Sequence, residues 1–143
     1  MRRIAFTLVE VLIVVIVLGI LAAIVVPQFS TATTDSNLSA LTSDLQIIRG
    51  QIQLYRAQHG DAWPSAATAT PGFAAQMTSA SDITGATGTG TSFPYGPYLQ
   101  SIPNNPYTST NTVGSTGLGT TAWYYDATTG TFKANDSAGH AAY

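Results

Sequence analysis

At 143 residues the chain has room for one modest domain, and with 8% of its residues charged and a net charge of −2 it has little electrostatic reach. Beyond Arg2 and Arg3 its only cations are Arg49, Arg56 and Lys133, which excludes a basic surface for nucleic acid. The absence of cysteine removes disulfide stapling and cysteine metal ligation.

Arg2 and Arg3 precede an apolar stretch in which sixteen apolar or small residues, Val11 to Val26, follow Glu10. A helix from Phe6 to Val26 is about 31 Å long and a bilayer's hydrocarbon roughly 30 Å thick, so the segment predicts a membrane-spanning helix. Positive charge lies before it and none follows until Arg49, which puts the N-terminus in the cytoplasm and the bulk of the chain on the far side of the membrane. The competing readings are a secretory signal peptide cut near Ala22-Ala23, twin-arginine export and a plain signal anchor. None of them accounts for Glu10. A carboxylate at the centre of a membrane helix costs on the order of 2.5–3.5 kcal/mol, less near the interface, and is rarely kept without a partner.

The string Phe6-Thr7-Leu8-Val9-Glu10 behind a short basic leader resembles the type IV pilin and pseudopilin superfamily. The resemblance implies a leader, residues 1–5, cut between Ala5 and Phe6 by a prepilin peptidase that then N-methylates Phe6. Glu10 becomes the fifth mature residue and pairs with the Phe6 amine of a neighbouring subunit, setting the axial register of a homo-oligomeric filament. Ala5 departs from the glycine that usually ends the leader, which bears on the efficiency of the cut and not on its position. Many pilins of the family close a C-terminal loop with a disulfide, whereas the major pseudopilins of type II secretion typically lack cysteine, as this chain does.

Residues 6–29 form the transmembrane and assembly helix in this reading. Pro27 lacks a backbone N–H and Gly19 weakens a helix, so the two bracket an interval that can lose hydrogen bonds when subunits pack, as the resemblance implies. Alternatively, Pro27 ends the transmembrane helix. Leu38, Leu41, Leu45, Ile48, Ile52 and Tyr55 recur at steps of three and four, predicting an amphipathic helix within residues 30–60 that stops at His59-Gly60. If continuous from Phe6 it is about 80 Å long. The stripe is too short to argue a coiled coil and predicts one wall of the head's core.

The head, residues 61–143, is rich in Ser, Thr and Gly, with loops of low complexity at 66–70 and 85–92. Thr70 as cap, Pro71 at the first helical position and an apolar pair four apart predict a short helix over 70–77. The proline-rich run from Tyr95 to Tyr107 wraps the core through Tyr98, Leu99 and Ile102. Ala122–Asp126 and Thr131–Ala134 predict a β-hairpin. The fold class is α+β, a long N-terminal helix packed on a small antiparallel C-terminal sheet. The segments His59-Gly60-Asp61-Ala62-Trp63-Pro64 and Gly96-Pro97-Tyr98-Leu99, with the aromatic strand, resemble the major pseudopilins, which implies a three-stranded C-terminal sheet.

That branch binds calcium in a C-terminal loop, and calcium wants six to eight oxygens. Beyond residue 120 the chain offers only Asp126, Asn135 and Asp136 as weak candidates, alternatively turn formers, so no metal or other cofactor is expected. His59 and His140 are the only histidines, and neither glycine-rich run (85–90 or 114–119) has the lysine or the spacing of a phosphate or dinucleotide site, so no enzyme is expected. The resemblance implies a structural subunit of a type II secretion pseudopilus, whose partners are copies of itself, other pseudopilins, the prepilin peptidase and the inner membrane, with no nucleic acid. A type IV pilus subunit and a membrane-anchored binding module are the alternatives.

Overall fold

Both the apolar run and the Leu38-to-Tyr55 stripe fall in one helix, α1 (Leu8–Gln58), in the computed structural model of the chain, which describes residues 7–143. Two units are distinguished, the first ending at Ser36 and the second running Asn37–Tyr143.

In the first unit the 18 residues Leu8–Val25 are apolar enough to cross a membrane, and none of them is buried. A helix with no dry face of its own must be covered from outside, by lipid or by other apolar helices. The helix runs through positions 19 and 27, so Pro27 does not end it. Beyond the proline, the Thr33 hydroxyl donates to the Phe29 carbonyl at 2.9 Å.

The second unit is organised on the buried stripe. Leu41, Leu45, Ile48, Ile52 and Tyr55 are closed to solvent, with Leu38 packed at the margin. The helix stops where Gly60 and then Asp61 take the left-handed conformation (φ 61° and 67°), and the Asp61 N–H returns to the Arg56 carbonyl at 3.0 Å. Helix α2 (Phe73–Thr78) buries the apolar pair Phe73 and Met77 as its spacing predicts. Its start differs from the reading above. Thr70 does not cap it and Pro71 stands outside it; the cap position is Gly72, with no side-chain bond. A Cβ at residue 72 would come within 2.7 Å of the Ala67 carbonyl oxygen and 2.8 Å of that of Ala69, so backbone crowding outweighs capping chemistry there.

The hairpin forms as expected from β2 (Trp123–Asp126) and β3 (Thr131–Ala134), paired antiparallel with Trp123 opposite Ala134 and Asp126 opposite Thr131. Alternation buries Trp123, Tyr125, Phe132 and Ala134. Their polar ends are satisfied: the Trp123 indole N–H donates to the Pro103 carbonyl at 2.9 Å, and the Tyr125 hydroxyl to that of Pro64 at 2.8 Å. The sheet is mixed rather than wholly antiparallel. A two-residue strand β1 (Val113–Gly114) pairs parallel with β2, giving the order β1-β2-β3. Two residues carry no periodicity, so β1 has no sequence signal. The 95–107 run wraps the core as expected, with Tyr98 and Ile102 buried and the Tyr98 and Leu99 N–H groups both on the Met77 carbonyl.

Candidate assembly site

Thr7 and Glu10 form the start of α1 together. The Thr7 N–H and hydroxyl each lie 3.4 Å from Glu10 Oε2, and the Glu10 N–H lies 3.3 Å from Thr7 Oγ1. This is a capping box, which satisfies orphan N–H groups at a helix start reciprocally. Among the described residues the Glu10 carboxylate bonds only to Thr7. These distances lie beyond the usual 2.7–3.2 Å of an N–H···O bond, so the box is a loose hold that a stronger donor can replace. The Thr-x-x-Glu spacing was the available signal, overlooked because Glu10 draws attention for its charge alone. The Ala5–Phe6 junction, and with it the cleavage and methylation position, lies outside the described residues. Gly19 and Pro27 both lie in regular helix.

The weak metal candidates are occupied by turn chemistry. Asp126 Oδ1 accepts from the Thr128 N–H (2.9 Å) and hydroxyl (2.6 Å), and Oδ2 from the Thr129 hydroxyl (3.0 Å). Asn135 Nδ2 donates to the Gly117 carbonyl and to Thr121 Oγ1. Asp136 accepts from Asn105 Nδ2 at 3.0 Å and holds His140 Nδ1. Asp126 sits at the turn end of the hairpin, whereas Asn135 and Asp136 follow its open end, about 13 Å away along the strands. Among the described residues no three His, Asp or Glu side chains gather as metal ligands. His59 is 4% exposed, and its Nδ1 lies 2.8 Å from the Tyr55 carbonyl, which only accepts, so Nδ1 carries the hydrogen. Nε2 faces the fully buried Ser81 hydroxyl at 3.1 Å and the ring stacks on Tyr55. The ring locks the end of α1 to the 81–95 loop and does not face a cleft.

Residues 1–26 match the prokaryotic N-terminal methylation motif family. Over 108 residues the chain is 28% identical to the type II secretion system core protein G of Klebsiella pneumoniae, covering 76% of this chain and 71% of that one. Over 60 residues it is 37% identical to the protein of the same name from Pseudomonas aeruginosa, where the match spans 42% of either chain, less than half of that relative. Over these stretches the chain is similar to the type IV pilin-like pseudopilins. No solved structure is significantly similar to it. Among the described residues one helix, near the N-terminus, is long and apolar enough to cross a membrane.

Among the described residues of the head, Asp82, Asp126 and Asp136 are held below the ordinary carboxylate value of 3.8. For Asp82 and Asp126 the leading cause is a hydrogen bond from a neighbouring threonine hydroxyl, Thr84 and Thr128 respectively. For Asp136 burial pushes upward, but hydrogen bonds from His140 and Asn105 outweigh it. A carboxylate whose folded pKa lies below its unfolded one contributes stability that is complete above the unfolded value and is lost as pH falls through the folded value. Burial raises Asp44, which acts in the opposite sense. The expected result is a melting temperature that falls as pH drops below about 4, with Asp136→Asn lowering it at neutral pH and flattening the acid limb. Thermal melts of the detergent-solubilised chain from pH 7 to pH 2 check this.

Proposed function

We propose that this chain is a structural, non-enzymatic subunit of a type II secretion pseudopilus. In this reading it enters the inner membrane with its N-terminus in the cytoplasm and its head on the far side. Prepilin peptidase cuts between Ala5 and Phe6, removing leader residues 1–5, and methylates Phe6. Residues 6–29 then carry assembly with copies of itself and other pseudopilins, residues 30–60 link to the head, and residues 61–143 form the head surface. The observation that carries the reading is a capping carboxylate, Glu10, near the start of the 18-residue apolar segment Leu8–Val25, none of which is buried.

Assembly follows from the chemistry of that entrance. Lipid and a neighbour's apolar helix are nearly equivalent solvents for Leu, Ile and Val, so apolar packing alone selects no axial register. A polar pair does. The ammonium of a neighbour's Phe6 offers Glu10 an opposite full charge together with a hydrogen bond, whereas Thr7 supplies only uncharged donors to the carboxylate. The interval from Gly19 to Pro27, helical in the single chain, is where hydrogen bonds would yield to let the helices pack. The name shared by the relatives, type II secretion system core protein G, supports the secretion reading over a pilus.

Deleting the gene in its host and restoring it from a plasmid tests the assignment. Exoproteins should accumulate in the periplasm without the chain and be released with it. Normal release coupled to loss of surface pili would make it a pilus subunit instead.

A further inference from the structure

The major pseudopilins that the chain resembles hold calcium in a C-terminal loop, and here the stretch after the last strand, residues 135–140, is built from other chemistry. A calcium ion needs about six to eight oxygens whose lone pairs converge on one point. After Pro103 the chain carries two carboxylates, Asp126 and Asp136. Both oxygens of Asp126 are taken by the Thr128 and Thr129 groups of its own turn. Asp136 is therefore the acid around which a cation would have to gather.

What faces Asp136 is hydrogen. Asn105, closed to solvent, donates from Nδ2 to Asp136 Oδ1 and to the Ala122 carbonyl, each at 3.0 Å, and its Oδ1 accepts the Tyr107 N–H at 2.9 Å. These partners fix the amide's orientation, because turning it over would set its oxygen against a carboxylate and a carbonyl. His140 Nδ1 lies against Asp136 Oδ2, and since an ionised carboxylate only accepts, Nδ1 carries a hydrogen. The His140 ring is held in that position by stacking on Tyr107, with centroids 3.9 Å apart, and its backbone N–H by Ser137 Oγ at 3.2 Å. Asn135 is committed elsewhere, its Nδ2 donating to the Gly117 carbonyl and Thr121 Oγ1, and its own carbonyl accepting the Gly119 N–H at 2.6 Å. The residues present do not fit the ion: two N–H donors aim their positive ends where a cation would have to come.

We propose that the Asn105–Asp136–His140 network takes the place of the metal, so that the head holds its C-terminal segment without calcium. Asp136, satisfied on both oxygens by donors that the chain itself carries, ties the 103–110 loop to the residues after β3. Its neighbour Asn135 ties the 114–121 loop to the same point. Donors built into the chain are present at every calcium concentration, so the stability they contribute is not linked to the ion.

The test uses the full chain in detergent micelles, melted once in millimolar calcium chloride and once in chelator. The two curves should coincide, whereas an ion present at about a thousand times its dissociation constant would raise the midpoint by on the order of 10 °C. His140→Ala then asks whether the network does the fastening. Hydrogen exchange should quicken about tenfold at the Ala141 amide, bonded to the Ser137 carbonyl, and at that of Tyr107, bonded to Asn105 Oδ1. It should do so equally with calcium and with chelator, while the Ile52 amide, on the buried face of α1, keeps its protection. A midpoint that rises by several degrees with calcium in the unsubstituted chain would overturn the proposal. So would unchanged exchange at Ala141 and Tyr107 in the variant, or an equal rise at Ile52, which would make His140 a general support of the core.

Discussion

Glu10→Gln is expected to yield a chain that inserts, is processed and fails to assemble. Leader, arginines and apolar run are untouched, and a neutral amide is easier to bury than a carboxylate, so insertion should be unimpaired. The helix start should survive as well, because Gln serves a capping box as Glu does. What disappears is the charge. An attraction of about 4 kcal/mol at 4 Å and an effective dielectric near 20 is lost, before the desolvation of both groups is deducted. The substitution thus separates the local role seen between Thr7 and Glu10 from the intersubunit role proposed for Glu10. Sheared-filament yield beside the wild type is the measurement, and a normal yield would reduce Glu10 to a helix cap.

Asn105→Ala should be the most damaging polar substitution in the head. Asn105 is 0% exposed, and its Nδ2 donates to the Ala122 carbonyl and to Asp136 Oδ1, each at 3.0 Å, while its Oδ1 accepts the Tyr107 N–H at 2.9 Å. The Ala122 carbonyl keeps the Asn135 N–H as a second partner. The Tyr107 N–H and one acceptor site of Asp136 do not keep theirs. At about 1–3 kcal/mol for each group left unmet, the loss comes to about 3 kcal/mol, a fall in melting temperature of about 15 °C for a head of this size. Asn104→Ala, at the exposed neighbour, should stay within about 0.5 kcal/mol. Equal effects at the two positions would contradict the network.

That pair of asparagines also marks where the sequence stops being legible. Asn104 and Asn105 are identical as letters, and only the fold closes one of them between the 103–110 loop, β2 and Asp136. The stripe from Leu38 to Tyr55 and the alternation in Trp123–Asp126 were readable because burial repeats with the period of the element. Where a tertiary contact overrides local preference, reading failed. Thr70 and Pro71 have good cap chemistry, yet α2 begins at the crowded Gly72. Strand β1 exists because the Trp123 N–H reaches the Thr112 carbonyl, a bond that Val113 and Gly114 do not announce. The candidate site was half legible: charge in an apolar helix singled out Glu10, whereas Thr7 emerged only once the helix start had geometry.

The central claim is that this chain is matured at Phe6 and used as an assembly subunit. Mass spectrometry of the protein extracted from its native membrane tests it most directly. The expected product is a chain that begins at residue 6 with a methylated α-amino group on Phe6. An intact Met1 start, or a chain beginning near Ala23 after signal-peptide cleavage, would contradict it.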